Sequence, residues 1–157
     1  MLDLLKSLFF GEESPRDAAS GDDRARLAVA ALLIEAAMAD GSLATEEQDR
    51  IHLLLRQRFN LPPEAADALY QQASRRQQDT NQLFPFTKTI VDHFDAAQRI
   101  ELIEMLWEVV YADGRLHDYE AGLVRRVAGL LYVSDQDSGG ARQRALARLG
   151  IADDPLA

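Results

Sequence analysis

The chain has 157 residues, with 17 Lys and Arg against 26 Asp and Glu and a formal charge of −9. That length suits one compact domain with a sizeable core. The charge opposes nonspecific binding to nucleic acid or anionic lipid and favours a cation or a basic partner. Cysteine is absent, which excludes disulfides, thiolate metal sites, iron–sulfur ligation and cysteine nucleophiles.

Residues 1–10 place Leu2, Leu5, Leu8 and Phe9 at helix-like spacing, and the turn-rich stretch 11–21 follows as a linker. The first segment is predicted as an amphipathic helix. It folds back on the domain, anchors to a partner or membrane surface, or frays as a tail, and in a structural homodimer it or an apolar face is the contact. It carries no basic lead-in or cleavage site, and no apolar run approaches the roughly 18 residues of a transmembrane span, so a cytoplasmic protein is expected.

From Asp22 a helix apolar nearly all round runs to Gly41, with Glu35 its one charge between Leu27 and Ala39; such a helix belongs at the centre of others. Thr45 is predicted to cap the next helix, with Gln48 completing a capping box. Pro62 and Pro63 start a third helix through Gln77. A fourth ends near His93, with Pro85 in its first turn. Asp95 caps a fifth, boxed by Gln98, which runs to Gly114. A sixth follows His117 or Asp118. Ser134 can cap a last helix, though Gly139 and Gly140 place its regular part from about Ala141. Phe84, Phe86, Trp107 and Tyr111 are predicted as core, and His52, His93, Arg75 and Arg76 as satisfied or solvated surface groups. No alternating strand pattern occurs. The expected fold is an all-α bundle of seven to eight helices, with residues 1–21 as helix and linker, 22–149 as the domain and 150–157 as a tail.

The segment Met38–Ile51, MADGSLATEEQDRI, returns as YADGRLHDYEAGLV at Tyr111–Val124, 73 positions later. In this register Glu35 aligns with Glu108, Asp40 with Asp113, Gly41 with Gly114, Leu43 with Leu116 and Glu47 with Glu120. Each copy reads as a helix, a tight Asp-Gly turn and a second helix opening on a glutamate, so two helix-loop-helix repeats related by a pseudo-two-fold are expected. Turn and cap chemistry explains most of the repeat. It explains Glu35 and Glu108 least, since an unpaired carboxylate on a buried helix costs several kcal/mol. Each needs an arginine, the surface or a cation. Oxygen donors without thiols suit Ca²⁺, Mg²⁺ or Mn²⁺. An EF-hand is excluded, because the glutamate comes seven residues after the aspartate instead of closing a loop of about twelve.

The two Ala-Asp-Gly-x-Leu-x-x-x-Glu joints between apolar helices resemble the tellurite-resistance protein B (TerB) family, in the broad sense that includes the N-terminal domain of certain membrane-anchored DnaJ-type co-chaperones. The likeness spans residues 22–149; residues 1–21 lie outside it and no J-domain His-Pro-Asp motif follows. The resemblance implies a bacterial all-helical domain linked to stress or tellurite resistance, with acidic residues that chelate metal. That role falls on Asp40, Glu47, Asp113 and Glu120, and the burial argument adds Glu35 and Glu108. The functional expectation is a non-enzymatic interaction module with an unknown protein partner. A metal-dependent hydrolase on the same carboxylates and a metal-free structural homodimer are the alternatives. Nucleotide loops, His-Glu-x-x-His and Gly-x-Ser-x-Gly are absent, so no catalytic residue is assigned.

Overall fold

A computed structural model describes residues 13–39, 41, 43–79, 82–114 and 118–151, with the backbone alone over 13–22. Within them lie seven α-helices and no strand: α1 (Glu13–Ala37), α2 (Thr45–Phe59), α3 (Pro63–Gln78), α4 (Phe84–His93), α5 (Ala96–Val110), α6 (Asp118–Leu130) and α7 (Asp135–Leu149). The all-α expectation holds. The proposed N-terminal helix of residues 1–10, the joint residues Asp40 and Leu116, and His117 lie outside the described residues.

Helix α1 is the axis of the bundle and packs against α2, α3, α4, α5 and α6. Its run from Ala28 to Ala37 is buried apart from the half-buried Glu35, which follows from a sequence with no polar face to turn toward water. Helix α5 is the second axis, with Leu102, Ile103, Leu106, Val109 and Val110 fully covered by α7, α1, α6 and α2. Each such side chain contributes about 1.5–3 kcal/mol of burial. Helix α1 meets α2 and α3 as α5 meets α6 and α7, and α2 touches α5 as α6 touches α1.

Four local expectations are corrected. Helix α1 begins at Glu13 and absorbs part of the expected linker. Pro15 falls in its first turn, where a missing N–H costs nothing, and Gly21 costs about 1 kcal/mol that a long continuous helix can absorb. Ala44, in an extended conformation, occupies the N-cap of α2 in place of Thr45. Glu47 replaces Gln48 as the box residue: its Oε1 accepts the Ala44 N–H at 3.1 Å, and alanine has no side chain to return the bond. Helix α7 runs unbroken through Gly139 and Gly140 from Asp135, helped by Ser134, whose Oγ accepts the Asp137 N–H at 3.1 Å. Phe84, expected in the core, is 60% exposed, because it opens α4 beside Pro85, on the outer turn.

Other local expectations match. Asp95 Oδ1 accepts the Gln98 N–H at 2.8 Å and Gln98 Oε1 accepts the Asp95 N–H at 2.9 Å. Trp107, Tyr111 and Phe86 are buried, and Trp107 donates from Nε1 to Ser138 Oγ at 3.2 Å. His52 stacks on Tyr70 with ring centroids 4.3 Å apart, its Nδ1 2.9 Å from the Gln48 carbonyl; His93 Nδ1 lies 2.8 Å from the Thr89 carbonyl. Arg75 and Arg76 face solvent.

Candidate functional site

The two joints share one backbone turn. Gly41 N–H donates to Met38 O at 2.9 Å and Gly114 N–H to Tyr111 O at 2.8 Å, while Ala39 reaches Ala36 O and Ala112 reaches Val109 O. These bonds keep the 73-residue offset. Both glycines have positive φ, 95° and 81°, a region where a Cβ strains the backbone. The second helix of each pair ends one residue out of that register: Leu61 N–H donates to Arg56 O and Val133 N–H to Ala128 O, beside the left-handed Asn60 and Tyr132.

Past each turn a glutamate enters the first turn of the next helix almost out of solvent, Glu47 at 4% exposure and Glu120 at 1%. A helix N-terminus favours negative charge there. Asp113 is half-buried in the second joint.

Glu35 and Glu108 part company. Glu35 accepts a hydrogen bond from Gln77 Nε2 on α3. Glu108, buried on α5, accepts from Arg148 Nη1 at 2.9 Å through Oε2 and from Arg50 Nη1 at 3.2 Å through Oε1. Arg148 also donates from Nη2 to Glu104 Oε2, and Arg144 donates from Nε to Glu104 Oε1 at 2.6 Å. Thus α2, α5 and α7 are tied by three guanidiniums and two carboxylates, and every oxygen of Glu104 and Glu108 has a donor. Hydrogen bonds to Glu104 and then to Glu108 raise the pKa of Arg148 further above its ordinary value. Desolvating carboxylates costs several kcal/mol, and bonds of this kind, about 1.5–3 kcal/mol each, offset it.

Arg50, Glu104, Arg144 and Arg148 were not among the sequence candidates, though a signal existed. Glu104 and Glu108 lie four apart on an apolar helix, and Arg144 and Arg148 lie four apart on the last helix. Two such pairs on facing helices can mate.

Among the described residues no three Asp, Glu or His side chains gather in a metal-holding group. The structure therefore brings Glu108 to arginines, Glu35 to an amide and Glu47 to a backbone N–H, while Asp113 and Glu120 flank the second turn; Asp40 is outside the described residues.

Beside the arginine network lies an open cleft of about 350 Å³ among α2, α5 and α7, with Leu54 and Met105 as its apolar floor. No described helix is long and apolar enough to cross a membrane.

In comparison with known proteins, residues 26–143 match the sequence model of a family described as tellurite resistance protein TerB. Searches of curated proteins and of solved structures returned no match.

Proposed function

The chain belongs to the tellurite resistance protein TerB family, and from that premise we propose a cytoplasmic, non-enzymatic interaction module whose two helix joints respond to a divalent cation. Family membership makes it a tellurite-resistance-associated domain; the mechanism is our reading. The observation that carries it is the recurrence of one turn, each copy followed by a deeply buried glutamate, Glu47 and Glu120.

In this reading the cation is held by Asp40 and Glu47 at one joint and by Asp113 and Glu120 at the other, with water completing its coordination. Neutralising those carboxylates sets the angle between α1 and α2 and between α5 and α6, and so the shape of the acidic surface offered to a basic partner. Glu108 is assigned to the arginine network, since guanidiniums on both of its oxygens compete with a cation. Glu35 retains only half-burial and an amide, and is a supporting residue.

The non-enzymatic reading is supported by the cleft beside the network. Its Glu104 and Glu108 carboxylates spend their oxygens on guanidinium donors, which opposes their use as a general base. Calorimetric titration of chelator-stripped protein with Ca²⁺, Mg²⁺ and Mn²⁺ tests the cation. The expected result is binding that an Asp40→Asn/Asp113→Asn double variant loses; an unchanged isotherm in that variant refutes these joints as the site.

A further inference from the structure

We propose that residues 1–10 dock as a helix in the groove between α1 and α3 of the same molecule. The groove lies apart from the helix joints, and its occupation is independent of the cation reading.

The groove exists because α1 and α3 run side by side. Each is joined to α2 by a short connection, so the two point the same way, and Gln77 meets Glu35 toward their far ends. Counting back eight residues from each partner brings Leu69 level with Leu27. Both line an open hollow of about 710 Å³, together with Leu61, Ala65 and Ala68. Leu27, Leu61 and Leu69 pack on the core yet stay only half-buried. Ala65, Ala68 and Leu69 share one face of α3, so the floor is a continuous apolar strip. The rim, Arg24 and Arg76 with Asp23, faces solvent. A guest can cover the strip while those charges stay in water.

The adjoining chain supplies a cover of matching chemistry and reach. Residues 1–10 carry Leu2, Leu5, Leu8 and Phe9 on one helical face, and a helix that short needs a surface for its apolar stripe to be stable. Gly11 and Glu12 connect it to α1, a length sufficient to reverse the chain between antiparallel helices. Asp23 lies ten residues beyond Glu13 in α1, about 15 Å along the axis, which is also the length of a ten-residue helix. Folded back along α1, the segment brings Leu2 and Leu5 to the end of the groove formed by Leu27, Leu61 and Ala65, with Ser7 on its outer side. Attachment favours this occupant over a free partner, because a short tether holds the segment at an effective concentration of about millimolar.

The test exploits the absence of cysteine. A nitroxide attached through Ser7→Cys in the full chain broadens the amide signals of whatever lies beside the segment. A several-fold loss of intensity is expected at Leu27, Leu61 and Ala65. Leu2→Asp/Leu5→Asp in the segment should relieve it, and so, independently, should Ala68→Glu, which places a charge on an exposed part of the floor without touching the core. A loose tail tethered at Glu13 would also broaden its surroundings, but neither variant would relieve that. Mixing spin-labelled chain with isotope-enriched, label-free chain detects exchange between copies: broadening absent from the mixture places the segment in its own molecule. The proposal is overturned if the three signals keep their intensity, if either variant leaves the broadening unchanged, or if the mixture shows it at full strength, which would assign the groove to a second copy.

Discussion

Arg148 closes α7 onto α5 by donating to Glu108 at 2.9 Å, over a carboxylate that water scarcely reaches. The counterpart of Glu108 in the first joint, Glu35, meets the amide of Gln77. An acidic residue repeated in sequence is thus a charged tie in one half and a neutral one in the other, and the two halves should respond differently to substitution.

Arg148→Met removes two donors and leaves Glu108 with Arg50. The expected loss is roughly 1–3 kcal/mol in urea unfolding. It stays below the ~3–5 kcal/mol of a fully buried pair, because Arg148 is half exposed and a second guanidinium remains. Arg148→Lys should recover less than half of that loss, since an ammonium cannot span two carboxylates. Full recovery by Lys would show that charge alone, without the fork, accounts for the tie.

Gln77→Leu, at the neutral tie, should cost about 1 kcal/mol by the same measurement, because Glu35 is half-buried and can turn to water. A loss as large as that of Arg148→Met would show that Glu35 is held more tightly than an amide contact explains.

Gly41→Ala and Gly114→Ala should each destabilise by roughly 1–2 kcal/mol, the penalty for a Cβ in the left-handed region. Space is not the obstacle, since an added Cβ meets nothing within 4 Å at either position. Asn at the same positions should cost less, because it tolerates that conformation. Equal losses for Ala and Asn would contradict a backbone origin.

Tyr70 and Tyr111 have raised pKa values, each chiefly through burial. The folded protein thus holds these phenols neutral beyond the ordinary value of 10.0. Their contribution is complete below pH 10 and is lost as pH rises through the folded-state values. Tyrosinate absorbance should show two groups titrating late, together with alkaline unfolding, and Tyr70→Phe should move the unfolding onset to higher pH. An unmoved onset would remove Tyr70 as a cause.

Much of the fold was legible because its signals are local. The Asp95–Gln98 box, Pro63 and Pro85 in first turns, and the Asp-Gly turns need only neighbouring residues. The apolar circumference of α1 marked it as the axis for the same reason. The discrepancies arose where a longer-range or competing term prevailed. Helix continuity carried α1 back to Glu13 and α7 through Gly139 and Gly140, and Glu47 took the box contact at Ala44 without a hydroxyl partner. The arginine network was only half visible: the four-residue spacings of Glu104 and Glu108 and of Arg144 and Arg148 show which side chains share a helix face, but Arg50, Arg144 and Arg148 lie from 40 to 58 residues from the acids they bind, and local spacing does not say which faces meet. The sequence posed the right question about Glu35 and Glu108, and the fold answers it differently for each.

We propose that the joints, and not the arginine-tied carboxylates, hold a divalent cation. The most direct measurement is a Mg²⁺ titration of the full chain, stripped of metal by chelator, with side-chain carboxylate and amide resonances followed together. Saturable shifts are expected at Glu47, Asp113 and Glu120 and their turns, with Glu104 and Glu108 unmoved. Shifts centred on Glu104 and Glu108, or none at the joints at millimolar Mg²⁺, would contradict it.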